Sequence, residues 1–255
     1  MSGHEFQSHF DDPTAPGAGG IDYSDTQTNI DDQTVAELRE LAGRYPQKRS
    51  ALLPMLHLVQ SVDGRISPRG IEVCAEVLEI STAQVSGVAT FYTMYKRRPA
   101  GKHHVGVCTT ALCAVMGGDQ LLEHVEKKLG IGENQTTADG NFSLERLECN
   151  AACDFAPVMM VNWEFMDNMT PDKADELIDK LASGEPVQSS RGATLTSWRE
   201  AERVLAGFPD GRADEGPTAG PASLVGLDIA NREGWTAPDP NNLPAPAEPA
   251  EGDAK

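Results

Sequence analysis

The chain has 255 residues, 39% of them hydrophobic, and a formal net charge of −18 from 39 acidic against 21 basic residues. So acidic a surface repels phosphate backbones and anionic headgroups, which sets aside nucleic-acid binding and direct attachment to membrane surfaces. No apolar run approaches the ~20 residues of a membrane span, and the opening MSGHEFQSHFDDP has neither the basic nor the apolar region of a signal peptide. The expected compartment is a reducing cytosol, where closely spaced cysteines favour metal or redox chemistry over structural disulfides.

In chain order, residues 1–33 hold seven acidic residues and no Lys or Arg, and read as a flexible acidic arm. Residues 34–99 read as a helical bundle. TVAELREL offers Thr34 as an N-cap with Glu37 three later. SALLPMLHLVQSVDG is apolar at helical spacing and stops at Gly64, SPRGIEVCAEVLEI has Ser67 as cap and Pro68 at the first helical position, and STAQVSGVATFYTMY begins with Ser81 and Gln84 as a capping box. The last two helices have helix-turn-helix spacing, but the acidic balance argues against DNA. Cys74, on an apolar helix face, reads as a small core residue.

Beyond KRRPAGK the period changes. HHVGVCT reads as a strand, GDQLLEHVEKKLG as an amphipathic helix, NFSLERLEC and APVMMVNWEF as strands, and TPDKADELIDKLASG as a helix capped by Thr170. This β-α-β-β-α order over 100–185 describes a small α/β layer, thioredoxin-like in outline. Residues 186–255 hold 9 of the 17 prolines and read as an extension with one helix, near 197–207, opened by Ser197 and Glu200. Trp198, Ala201, Val204, Leu205 and Phe208 form its apolar stripe, with Arg199, Glu200, Glu202 and Arg203 opposite. That stripe is expected to dock on a neighbouring subunit, with SLVGLDIANREGW as a second anchor; packing on its own domain is the alternative.

Four of the five cysteines fall in two pairs, Cys108 with Cys113 and Cys149 with Cys153, each just beyond a strand. Short spacing lets two thiolates converge on one metal, so the set suits a [2Fe–2S] cluster with one pair on each iron, or a single Zn²⁺. A soluble dithiol oxidoreductase is a third possibility. His103 and His104 read as surface or core positions, and no catalytic constellation is legible.

The runs SALLPMLHLVQ, VSGVATFYTMY, VGVCTTALCAVMGG and LECNAACDFAPVMMVN resemble the thioredoxin-like [2Fe–2S] ferredoxins, in particular the member of that family found in NADH-quinone oxidoreductase, respiratory complex I. The resemblance covers about 34–185. It implies an α+β chain, with an N-terminal helical bundle followed by a thioredoxin-like domain and extended arms at both ends. It further implies a non-catalytic electron carrier with one [2Fe–2S] cluster on Cys108, Cys113, Cys149 and Cys153. FMN and NADH are then bound by a partner subunit, and the chain docks there and on other peripheral-arm subunits, on the cytoplasmic face of the membrane without inserting into it. Diaphorase subunits of NAD-dependent hydrogenases and formate dehydrogenases share the pattern. Asn150 and Ala151 stand where a Leu-Gly pair is common, which leaves the ligands untouched but alters hydrogen bonding around the cluster.

Overall fold

The computed structural model describes residues 27–216 and 221–236. Most of the acidic arm, residues 1–26, lies outside these; within its remainder, Thr28 and Asn29 bond to the Asp63 carboxyl group. Of the described residues, 27–216 fall in one compact unit and 221–236 in a second.

Four helices come first: α1 (Asp32–Gly43), α2 (Leu52–Asp63), α3 (Pro68–Leu78) and α4 (Thr82–Phe91). Their caps are mostly those the sequence signals. Ser67 accepts from the Gly70 amide with Pro68 at the first position, and Ser81 and Gln84 close a reciprocal box. The first helix differs. Its N-cap is Asp31, which accepts from both the amide and the hydroxyl of Thr34, so Thr34 lies inside the first turn. Leu38, Met55, Leu56, Val59, Val73 and Cys74 fill the core between the helices, and α3 crosses α2 so closely that a Cβ on Gly70 would strike the Val59 side chain.

The sheet follows. Its strands are β1 (His103–Cys108), β2 (Gln135–Thr136), β3 (Phe142–Leu147), β4 (Met159–Val161) and β5 (Glu164–Met166), in the order β2-β3-β1-β4-β5. The stretch expected as one strand over APVMMVNWEF is a hairpin, because Asn162 and Trp163 both take positive φ (50° and 71°) and reverse the chain. Between β1 and β2 run α5 (Ala111–Val115) and α6 (Gly118–Leu129), and α7 (Pro171–Ser183) follows β5. Val105, Val107, Phe142, Leu144, Met159 and Val161 pack on α6 and α7 through Leu121, Leu122, Val125, Ile178 and Leu181. Alternation places His104, Ser143 and Glu145 on the other face.

That second face carries polar groups, and α8 (Trp198–Leu205) covers them. Here the structure takes the alternative to docking elsewhere. The helix forms with its capping box, but it packs on its own unit: Trp198 is buried, 4.9 Å from the His104 ring and 5.4 Å from Trp163. Glu202, expected on the solvent face, is fully buried between His57 Nδ1 at 2.6 Å and the Trp163 indole N–H at 2.8 Å. Arg203 pairs with Glu37 on α1, and Arg199 donates to the Val62 carbonyl. Residues 186–216, expected as an extended arm, are therefore an integral part of this unit. In the second unit, α9 (Pro221–Arg232) exposes Leu224, Val225 and Leu227.

Buried polar groups beside the sheet tie its stability to pH. Lys96 donates to Glu145 at 2.6 Å, and His104 Nε2 lies 2.8 Å from the same oxygen. Burial would raise Glu145, but His104 and Lys96 outweigh it and hold its pKa below the usual carboxylate range. His103, buried against Phe142, is pushed down to about 4 by desolvation and by Lys102. An unfolded His binds a proton below about pH 6.5 whereas folded His103 does not until about pH 4, so acid favours the unfolded chain across that window. Stability should fall by about 1.4 kcal/mol per pH unit there, to a total of about 3 kcal/mol from this residue. Urea unfolding at pH 7 and pH 4.5 checks it: His103→Leu should show a smaller acid loss than the parent chain, and equal losses would remove His103 from the account.

Candidate metal centre

The parallel pairing of β1 with β3 explains why two cysteine loops 36 residues apart in sequence meet. Cys108 closes β1 and stands opposite Leu147, the last residue of β3, so Cys149 begins the neighbouring loop at the same edge of the sheet. The antiparallel β4 starts from that edge too: the Cys108 amide donates to the Val158 carbonyl at 3.0 Å, and Cys153 lies in the short 3₁₀ turn leading into it. All four predicted ligands therefore lie at one end of the sheet, Cys108 and Cys113 packed against Ala152, Ala156 and Val158. Cys74 lies apart, in the helical core.

The four thiols are free and stand as two pairs. Cys149 Sγ and Cys153 Sγ are 3.5 Å apart. Two thiolates on one tetrahedral metal with bonds of ~2.3 Å would be separated by about 3.7 Å, so the pair is close to the spacing one ion needs. Cys108 and Cys153 are both near enough to Cys113 to perturb it. Desolvation first, then these neighbouring sulfurs, pushes the Cys113 thiol up to about 11. For Cys153 the main cause is Cys149 beside it, again raising the pKa. Crowded thiols resist losing several protons together unless a cation replaces them. Among the described residues no three His, Cys, Asp or Glu side chains surround one point; the sulfurs keep their two-by-two arrangement.

Local backbone geometry shapes this edge. Ala111 (φ 29°) and Ala151 (φ 55°) bend both loops through the left-handed region that usually favours glycine. In the second loop the Ala151 amide donates to Cys149 Sγ, 3.4 Å away. Gly118 opens α6 hard against the first loop: a Cβ there would lie 2.5 Å from the Cys108 carbonyl oxygen and 2.8 Å from that of Cys113. This sets the N-terminal end of α6 against the backbone of the first cysteine loop.

The two pairs differ in exposure. Cys108 and Cys113 are buried, Cys153 is partly open, and Cys149 is exposed. Beside them α5 presents Leu112, Val115 and Met116 to solvent, Val115 at 82% exposure. The exposure of the apolar rim Leu112, Val115 and Met116 had no clear sequence signal. Asn150, which the sequence singles out, has its Nδ2 buried with no protein acceptor in reach.

The sequence model of the thioredoxin-like [2Fe–2S] ferredoxin family matches residues 38–182. The E-type subunit of NADH-quinone oxidoreductase from Mycobacterium tuberculosis is 52% identical over 203 residues, covering 79% of this chain and 81% of that protein. Its counterpart from Rickettsia bellii is 39% identical over 159 residues, 61% of this chain and 95% of its own length. Among solved structures, an NAD⁺-reducing [NiFe]-hydrogenase in the air-oxidized state aligns with 52% of this chain and 23% of its own, at a TM-score of 0.48 and 20% identity.

Proposed function

The chain belongs to the thioredoxin-like [2Fe–2S] ferredoxin family, among the E-type subunits of NADH-quinone oxidoreductase, and we propose that Cys108, Cys113, Cys149 and Cys153 hold its one cluster. The observation that carries this is the two-by-two gathering of four free thiols at one sheet edge, with a 3.5 Å sulfur–sulfur spacing in the second pair. Each iron of a [2Fe–2S] rhomb takes two protein thiolates, so Cys108 with Cys113 would serve one iron and Cys149 with Cys153 the other. When bound, the cluster supplies a one-electron redox centre. The chain's own residues hold it: α6 sets its N-terminal end against the first loop, the Ala151 amide steadies Cys149, and Val158 with Ala152 and Ala156 walls off the Cys108 side from water.

The chain thus acts as an electron carrier inside an NADH-oxidising complex. The exposed Cys149 edge and the rim of Leu112, Val115 and Met116 form the face through which electrons would pass. We assign that face to the FMN- and NADH-binding subunit. No described helix is long and apolar enough to cross a membrane, and the chain would be held at the cytoplasmic face by its complex. The full chain, purified without oxygen, should carry about two iron and two sulfide ions, absorb visible light, and give an EPR signal after dithionite reduction. A colourless, EPR-silent protein with one zinc would replace this reading with a structural scaffold.

A further inference from the structure

The second cysteine loop contains a buried donor that the protein leaves unanswered. Asn150 lies between Cys149 and Ala151, three residues before Cys153. Its Nδ2 is buried and reaches no acceptor within the chain. Leaving such a group unsatisfied is destabilising, whereas a leucine of the same branching carries no donor to leave unsatisfied. A neighbouring donor in the same loop, the Ala151 amide, is already turned toward sulfur, 3.4 Å from Cys149 Sγ.

We infer that Asn150 donates its side-chain N–H to a sulfur of the [2Fe–2S] group held by this loop, and thereby raises its reduction potential. The inference rests on the proposed ligation by the four cysteines. Its sign follows from charge. One-electron reduction makes an all-thiolate cluster more negative, and a donor on sulfur stabilises the more negative state. Ligand-bonded groups of this kind orient and tune a metal site without binding the metal themselves. Asn150 is neutral, so it shifts the potential without adding charge to an already acidic chain.

The test compares the full cluster-loaded chain with Asn150→Leu, which keeps the branching of the side chain and removes the donor. Reduction should become about tenfold less favourable, a drop of about 59 mV for a one-electron couple. In resonance Raman spectra, the shifts of the iron–sulfur stretches on transfer to D₂O should shrink, because one exchangeable N–H···S contact is gone. An unchanged potential overturns the inference. So does a lowered potential with an undiminished deuterium shift, which would mean altered solvation instead of a lost hydrogen bond. Should Asn150→Leu fail to load, Asn150→Ala removes the same donor without apolar bulk and is read the same way. If the parent chain itself carries no iron–sulfur chromophore, it is the ligation that fails, a result distinct from a loaded parent with an indifferent variant.

Discussion

Glu202→Ala should lower the stability of the chain by roughly 3–5 kcal/mol, since it leaves two buried partners unsatisfied at about 1–3 kcal/mol each and opens a cavity as well. His57 Nδ1 and the Trp163 indole N–H both meet this one carboxyl group, at 2.6 and 2.8 Å. The same side chain joins three elements: α8, α2 through His57, and the β4–β5 turn through Trp163. For a unit of this size the loss corresponds to a fall in Tm of roughly 10 °C. Glu202→Gln should fall much less, because its amide oxygen still accepts from Trp163 and its nitrogen can face His57. Thermal unfolding of the three chains measures this, and a Glu202→Ala melt within a degree or two of the parent would show that the network is dispensable. A chain cut after Gly184 loses Trp198, Glu202 and Arg203 together, so it too should be less stable alone. That differs from an extension serving only to hold a partner, whose removal would leave the isolated fold intact.

The contrast between α8 and the earlier helices shows which physics is local. Ser67 with Pro68, Ser81 with Gln84, Thr170 with Pro171 and Ser197 with Glu200 announce helix starts because each cap bonds an amide two or three residues away. The strand character of 103–108 and the cysteine spacings are local in the same way. Glu202 is not. Its partners lie 145 and 39 residues away, so helical periodicity puts it with Arg199 and Arg203 on a polar face, while the fold buries it. An amphipathic stripe says that a surface will be covered, without saying by what, and here Val204 and Leu205 stay about 40% exposed while Trp198 goes in. The β4–β5 reversal is hidden for a related reason: Asn162 suits a left-handed turn position but Trp163 does not. The pairing of cysteines is readable as chemistry, yet the meeting of the pairs depends on the parallel register of β1 and β3, which no short window contains.

Replacing any one of Cys108, Cys113, Cys149 and Cys153 with alanine should abolish the cluster, while Cys74→Ala should keep it. A three-thiolate site leaves one iron under-coordinated and its charge unbalanced, and cluster ligands are not exchangeable for an apolar methyl group. Cys74 offers an internal control of the same residue type. Burial pushes its thiol up to about 12, so it stays protonated and acts as a small apolar core residue beside Leu56 and Val73. Its alanine variant should lose about 1 kcal/mol of packing and no colour. The four site variants should also differ from one another before loading. Cys108→Ala and Cys113→Ala remove buried sulfur from the apolar seat near Val158, so their metal-free forms should melt below the parent. Cys149→Ala removes an exposed group and should leave the metal-free fold nearly unchanged. Metal-free Cys113 is held protonated to about pH 11, so loading must displace its proton, and reconstitution should grow less complete as the pH falls toward 6. Iron content, visible absorbance and metal-free thermal melts on the five variants separate the two roles. A site variant that retains full iron and colour would remove its cysteine from the ligand set. Loss of colour in Cys74→Ala with an unchanged metal-free melt would add Cys74 to it.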